Sequence, residues 1–251
     1  MFFILKLSQG IIHLWLARPD EINDSVLLSQ YMAMLSDEEK INMQRFYFAK
    51  HRHQYLVTRA LIRSTLSYYV DIAPKDWCFS VNNYGKPEIA NRVLDIPLRF
   101  NLSHTDGLII CALALENDIG VDIETMQRTH TSLDIAKHYF SKREYDSLRV
   151  LAKHEQAQRF LQYWTLKEAY IKARGLGLSL PLNQFSFVID GQQPIKVEFD
   201  QYLNDDASLW QFWQFYPSEQ HIAAVALKSD SRIRFKLEMH KVIPLQRIIV
   251  S

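Results

Sequence analysis

Cysteine is scarce: Cys78 and Cys111 are the two in 251 residues. Neither stands in a CxxC pair or in a Cys/His run with metal-ligand spacing, which excludes a disulfide framework and a cysteine-based zinc module. Apolar neighbours flank both, Trp77 and Phe79 around the first, Ile110 and Ala112 around the second. Both read as buried, reduced thiols of a cytosolic protein. Charge of one sign is also lacking, the net value being +1. A chain built to grip a nucleic-acid backbone carries a basic excess, so anion binding here must come from local clusters. No run approaches the roughly 20 apolar residues of a membrane span. The apolar opening is broken by Lys6 and by Ser8-Gln9-Gly10, with no basic region before it and no small-residue cleavage site after it. It reads as strand rather than secretory leader. Low-complexity segments and long charge runs are missing too. What is there, 48% hydrophobic and 12% aromatic, suffices for one large core or two small ones.

Periodicity divides the chain. Residues 2–7 and 11–16 alternate as two strands around the Ser8-Gln9-Gly10 turn. Ser36-Asp37-Glu38-Glu39 is a capping box, in which hydroxyl and carboxylate reciprocally satisfy free N–H groups. Residues 49–69 are helical, with Tyr55, Leu56, Leu61, Ile62 and Leu66 on one broad face. Residues 77–81 form a strand, and 82–87 a turn-rich loop. Strands follow at 98–104, 108–115 and 119–124, joined by turns at 105–107 and 116–118. A second capping box, Ser141-Lys142-Arg143-Glu144, precedes a long helix over 155–174. Gly175 stands at its left-handed cap and Pro181 lies beyond. Strands are expected at 184–190, 194–199 and 208–216, with 221–228 joining them. From Ser229 the pattern is unclear. Each half thus reads as capping box, long helix with basic residues, then strands. The spacing is too irregular for a solenoid. The expected fold is α+β, two similar halves meeting near residue 117: residues 1–117, and residues 118–251 with a less defined tail from about 229.

Four clusters carry candidate chemistry. In Gly120-Val121-Asp122-Ile123-Glu124, strand alternation places Asp122 and Glu124 on one face. Adjacent carboxylates raise each other's pKa unless a cation compensates. Mg²⁺ does so with one or two carboxylates plus substrate phosphates, and a solvated face with two acids fits the same pattern. In Trp164-Thr165-Leu166-Lys167-Glu168-Ala169-Tyr170-Ile171-Lys172, Glu168 and Lys172 are i,i+4 neighbours, with Trp164 one turn back. Such a pair is a surface salt bridge or, given a buried stripe of Leu166, Ala169, Tyr170 and Ala173, an acid for a metal beside an ammonium for a phosphate. Phe100-Asn101-Leu102-Ser103-His104 ends a strand. Neighbouring strand residues point oppositely, so Ser103 is not a nucleophile activated by His104. Both suit phosphate hydrogen bonding. Tyr84-Gly85-Lys86-Pro87 exposes a lysine but lacks the upstream glycine of a P-loop.

In this order the clusters resemble the Sfp-like 4′-phosphopantetheinyl transferases. Phe46-Tyr47-Phe48, Arg59 to Arg63, Phe140 to Tyr145 and Gly175 to Pro181 add to the likeness, which covers roughly residues 36–190. The resemblance implies a pseudo-dimeric α+β fold with coenzyme A and Mg²⁺ in a cleft between the halves. It implies an enzyme that moves 4′-phosphopantetheine from coenzyme A to a serine of an apo acyl or peptidyl carrier protein, releasing 3′,5′-ADP. It makes Asp122, Glu124 and Glu168 the metal-binding acids, Ser103 and His104 ligands of the coenzyme A phosphates, and Lys172 the residue on the diphosphate. Lys86 and Arg59 become coenzyme A contacts, and Glu168 the base for the serine. The role of Lys167 stays open. Glu39 and Asn42 stand where relatives often carry lysine, so Arg45, Lys50, Arg52 and Arg59 are candidates to share the 3′-phosphate. Met126, Ile135, Tyr139 and Phe140 match the part that meets the carrier protein, or are core. A cytoplasmic monomer, bound to neither nucleic acid nor membrane, is expected. A catalytically silent homologue that binds coenzyme A or carrier protein is the alternative. A silent form would be expected to lose one of Asp122, Glu124, Glu168 or Lys172, and all four are present. A Mg²⁺-dependent diphosphate hydrolase is a weaker third reading, with no water-positioning group identified.

Overall fold

The computed structural model describes residues 5–91, 97–127, 133–191, 194–229 and 233–249. In chain order the elements are β1 (Ile11–Ala17), α1 (Ser25–Met34), α2 (Asp37–Gln44), α3 (Ala49–Leu66), β2 (Phe79–Val81), β3 (Pro87–Ile89), β4 (Leu98–Thr105), β5 (Leu108–Leu115), β6 (Ile119–Thr125), α4 (Leu133–Tyr139), α5 (Lys142–Arg149), α6 (Lys153–Arg174), β7 (Phe185–Val188), β8 (Lys196–Phe199), β9 (Trp210–Ser218), β10 (His221–Lys228), β11 (Lys236–Ile243) and β12 (Arg247–Ile249). They fall into two compact α+β units. The first holds residues 1–80, 87–116 and 235–251, the second 81–86 and 117–234.

In the first unit a mixed sheet runs β12-β11-β1-β5-β4. Its core gathers Trp15, Val57, Leu61, Ile62, Phe100, Cys111 and Leu113 between sheet and α3. In the second unit the sheet runs β6-β10-β9, and α6 lies on it through Leu166, Ala169, Tyr170 and Ala173 against Ile222, Ala224 and Ala226. Gly175 ends α6 at φ 63°, where its N–H donates to the Ile171 carbonyl. That is the left-handed cap the sequence predicts.

The two capping boxes do more than start helices. Glu39 caps Ser36 and also meets two bases of α3, Arg59 Nε at 2.6 Å and Arg63 Nη2 at 2.8 Å. Glu144 caps Ser141, accepts from Phe187 N at 2.9 Å, and pairs with Lys167 of α6 at 2.8 Å. In each unit the glutamate that starts a short helix thus fixes that helix to the next long one. Two separate signals, the box and the basic residues of the following helix, become one buried ion pair.

Several expectations are corrected. The tail leaves the second unit after residue 234: β11 returns to pair in parallel with β1, so residues 235–251 belong to the first unit. Residues 81–86 belong to the second, where the Asn82 amide donates to the Gly175 carbonyl. Of the expected strand over 2–7, residues 2–4 lie outside the described residues, and 5–7 are not strand. Cys111 is buried, but Cys78 is exposed. Trp77 takes the interior, donating its indole N–H to Ser67, and alternation turns Cys78 outward.

Candidate active site

β6 and α6 build the acid cluster. A Cβ added to Gly120 would stand 2.0 Å from the Ala169 carbonyl oxygen and 2.4 Å from Ala173 N. Gly120 therefore faces the helix backbone, and alternation turns Asp122 and Glu124 the same way. Ala224 of β10 stands opposite Asp122 and Ile222 opposite Glu124. On α6, Trp164, Glu168 and Lys172 recur every four residues along one line. The ends of the two rows meet. Lys172 Nζ donates to Asp122 Oδ1 at 2.6 Å, and Trp164 Nε1 donates to Glu124 Oε1 at 3.1 Å. Glu168 lies midway between Trp164 and Lys172. Its carboxyl is pushed up to about 7, first by burial, then by the charge of Asp122, with Glu124 adding and Lys172 opposing. Gly120→Ala is expected to force strand and helix apart, lowering the thermal midpoint by several degrees and removing activity. A melt compared with the parent protein checks it.

The donor set is all oxygen. Asp122 holds the Lys172 ammonium and Glu124 the Trp164 indole N–H, while burial and then the charge of Asp122 push the Glu168 carboxyl between them up to about 7. A hard dication supplies the missing positive charge, so the residues fit Mg²⁺. Their oxygens are not drawn within 4.8 Å of one another as ligand atoms of His13, Glu238 and His240 in the first unit are.

Lys167, five residues before Lys172, has another task. It is wholly buried, donating to the carbonyls of Leu182 and Phe185 at 2.7 Å each besides its pair with Glu144. Lys86 donates to the Ala173 carbonyl at 2.9 Å and lies against Gly175, at the C-terminal end of α6, where the last turn leaves carbonyls unpaired. Gln162 and Thr165 receive the Gln214 amide on the same helix.

The remaining candidates lie in the first unit. Ser103 is buried and His104 exposed at the end of β4, on opposite faces as alternation requires. Arg59 spans Glu39 and the Phe79 ring, 4.8 Å from its centroid. Lys50 pairs with Asp106 at 3.0 Å, and Arg52 donates to the carbonyls of Phe46 and Tyr47. Two features of the acid cluster were not evident in the sequence. One is the part played by Gly120, whose place two residues before Asp122 on a strand was the available signal. The other is the Trp164–Glu124 bond, for which only the shared side of α6 was visible.

Residues 118–226 match the family profile of the 4′-phosphopantetheinyl transferase superfamily. Residues 23–116 match the profile of the 4′-phosphopantetheinyl transferase N-terminal region. The chain is 33% identical to 4′-phosphopantetheinyl transferase HetI of Nostoc sp., over 89% of this chain and 90% of that one. It is 39% identical to 4′-phosphopantetheinyl transferase Sfp of Bacillus subtilis, over 67% of this chain and 73% of that one. A holo-(acyl-carrier-protein) synthase of Bacillus anthracis, solved with coenzyme A (3′,5′-ADP), is similar over 45% of this chain and 96% of its own, at 18% identity and a TM-score of 0.38. The chain belongs to the 4′-phosphopantetheinyl transferase superfamily.

Proposed function

We propose that this enzyme transfers the 4′-phosphopantetheine arm of coenzyme A to a serine hydroxyl of an apo acyl or peptidyl carrier protein, releasing 3′,5′-ADP. The observation that carries the reading is the line of acids and lysine on β6 and α6, inside the stretch that matches the superfamily profile. The serine oxygen forms a bond to the β-phosphorus of coenzyme A as the bond from that phosphorus to the bridging diphosphate oxygen breaks. Transfer of this kind depends on positioning and on neutralising charge. Asp122, Glu124 and Glu168 would hold Mg²⁺, which would supply charge neutralisation at the diphosphate. Lys172, a quarter exposed on its side chain, offers the diphosphate an ammonium already held by Asp122. Glu168 takes the serine proton, directly or through a water. Ser103, His104, Lys86 and Arg59 are proposed contacts of coenzyme A. Ile135 and Tyr139, exposed on α4, are proposed to meet the carrier, while Phe140 is core. The protein is proposed to work as a cytoplasmic monomer. Among the described residues no helix is long and apolar enough to cross a membrane.

The test is to incubate the protein with coenzyme A, Mg²⁺ and apo carrier proteins and to weigh the carriers by mass spectrometry. A gain of the phosphopantetheine mass is expected, and it stops when a chelator removes Mg²⁺. No gain across several apo carriers sinks the reading and leaves a silent binding homologue.

A further inference from the structure

We propose a second, transition-metal site in the first unit, a His₂Glu site for Zn²⁺ formed by His13, Glu238 and His240. The parallel register of β1 and β11 sets His13 beside Glu238 and Trp15 beside His240. Partners in register, and residues two apart on a strand, share a face. The sheet therefore brings the three side chains together, and one ligand atom of each lies within 4.8 Å of the others. His13 Nε2 and the Glu238 carboxylate are already 3.3 Å apart. That is about the edge of a tetrahedron with metal bonds of ~2.0–2.1 Å. The two imidazole centroids are 5.0 Å apart.

The surroundings orient the rings. Tyr69 Oη lies 2.6 Å from His13 Nδ1 and accepts the Trp15 indole N–H at 2.8 Å. In the tautomer protonated at Nδ1, His13 donates to Tyr69 and turns the Nε2 lone pair toward Glu238. A ligating histidine is commonly held this way, by a partner on its other nitrogen. His240 stacks on Trp15, with centroids 4.6 Å apart. Its Nε2 is buried without a hydrogen-bond partner, and a buried polar atom left so is destabilising unless something fills it. Glu238 is half exposed and gives an ion its entry.

Two imidazoles and one carboxylate suit zinc and its neighbours, whereas Mg²⁺ takes oxygen. The site is thus chemically distinct from the acids of β6 and α6. Two of its ligands come from β11 and one from β1, so a bound ion would fasten the returning C-terminal strand to the first strand.

The test is to strip the full-length protein with chelator, hold it in excess Mg²⁺ to occupy the acid cluster, and titrate it with Zn²⁺ against a chromophoric competitor. Co²⁺ is added separately to read the visible bands of a four-coordinate site. About one equivalent is expected to bind, with those bands. Glu238→Gln and His240→Ala are each expected to weaken binding at least about tenfold and to abolish the zinc-dependent rise in melting temperature. Glu238→Gln, at a half-exposed position, keeps the test interpretable if His240→Ala folds poorly. No uptake in excess Mg²⁺, or equal uptake by parent and Glu238→Gln, overturns the site and leaves a hydrogen-bonded aromatic cluster.

Discussion

Glu168→Gln is expected to lower turnover by about 10²–10⁴-fold while making the ligand-free protein more stable above pH 7. The two effects share one cause. The folded value of Glu168, about 7, lies above its ordinary 4.5. Between those limits the folded protein keeps a proton that the unfolded chain has lost. The contribution of Glu168 is therefore intact below about pH 4.5 and is lost as pH rises through about 7. Above that, the ionised carboxylate buried beside Asp122 and Glu124 costs about 3 kcal/mol. Glutamine has the same shape and no charge. At about pH 8 the variant should melt about 6–12 °C higher, at roughly 2–4 °C per kcal/mol for this size, and the gap should close toward pH 4. Coenzyme A binding is expected to survive largely intact. Melts across that range, with turnover beside them, check both halves. A variant as active as the parent removes Glu168 from its role.

Lys167 gives the second large effect, on stability. Replacing it by methionine strands Glu144, which is 1% exposed on its side chain, and should cost about 3–5 kcal/mol. The further change Glu144→Gln should recover part of that loss, because a neutral amide removes the unpaired charge while its one oxygen still accepts a backbone N–H, from Ser141 or from Phe187. Denaturant melts of the single and double variants decide it. A double variant no more stable than the single one contradicts the ion-pair account. Lys172→Met, five residues along the same helix, is expected to do the reverse. It sits at a partly exposed position, so its loss should cost turnover more than fold.

The contrast between these lysines shows what a chain can tell by itself. Alternation on a strand was enough to put Asp122 beside Glu124, and helical spacing enough to line up Glu168 with Lys172. Each is a local regularity. That Lys172 would meet Asp122, fifty residues away, depends on α6 lying against β6, and so on the missing side chain at Gly120. Nothing local distinguished Lys167, because its partner Glu144 was already explained as half of a capping box. The tail was opaque for a related reason. β11 alternates Lys236, Glu238 and His240 with Leu237 and Met239, a weak pattern that becomes a strand only because β1, more than two hundred residues earlier, supplies its partner. Cys78 failed for the opposite reason, since its apolar neighbours belonged to the interior and it did not.

The central claim, that the acids of β6 and α6 carry a metal-dependent transfer, is tested most directly by weighing an apo carrier protein after incubation with coenzyme A and Mg²⁺. The parent protein should add the phosphopantetheine mass, and Asp122→Asn, Glu124→Gln and Glu168→Gln, each confirmed folded, should add little or none. Full modification by all three variants, or none by the parent on any apo carrier, would contradict it.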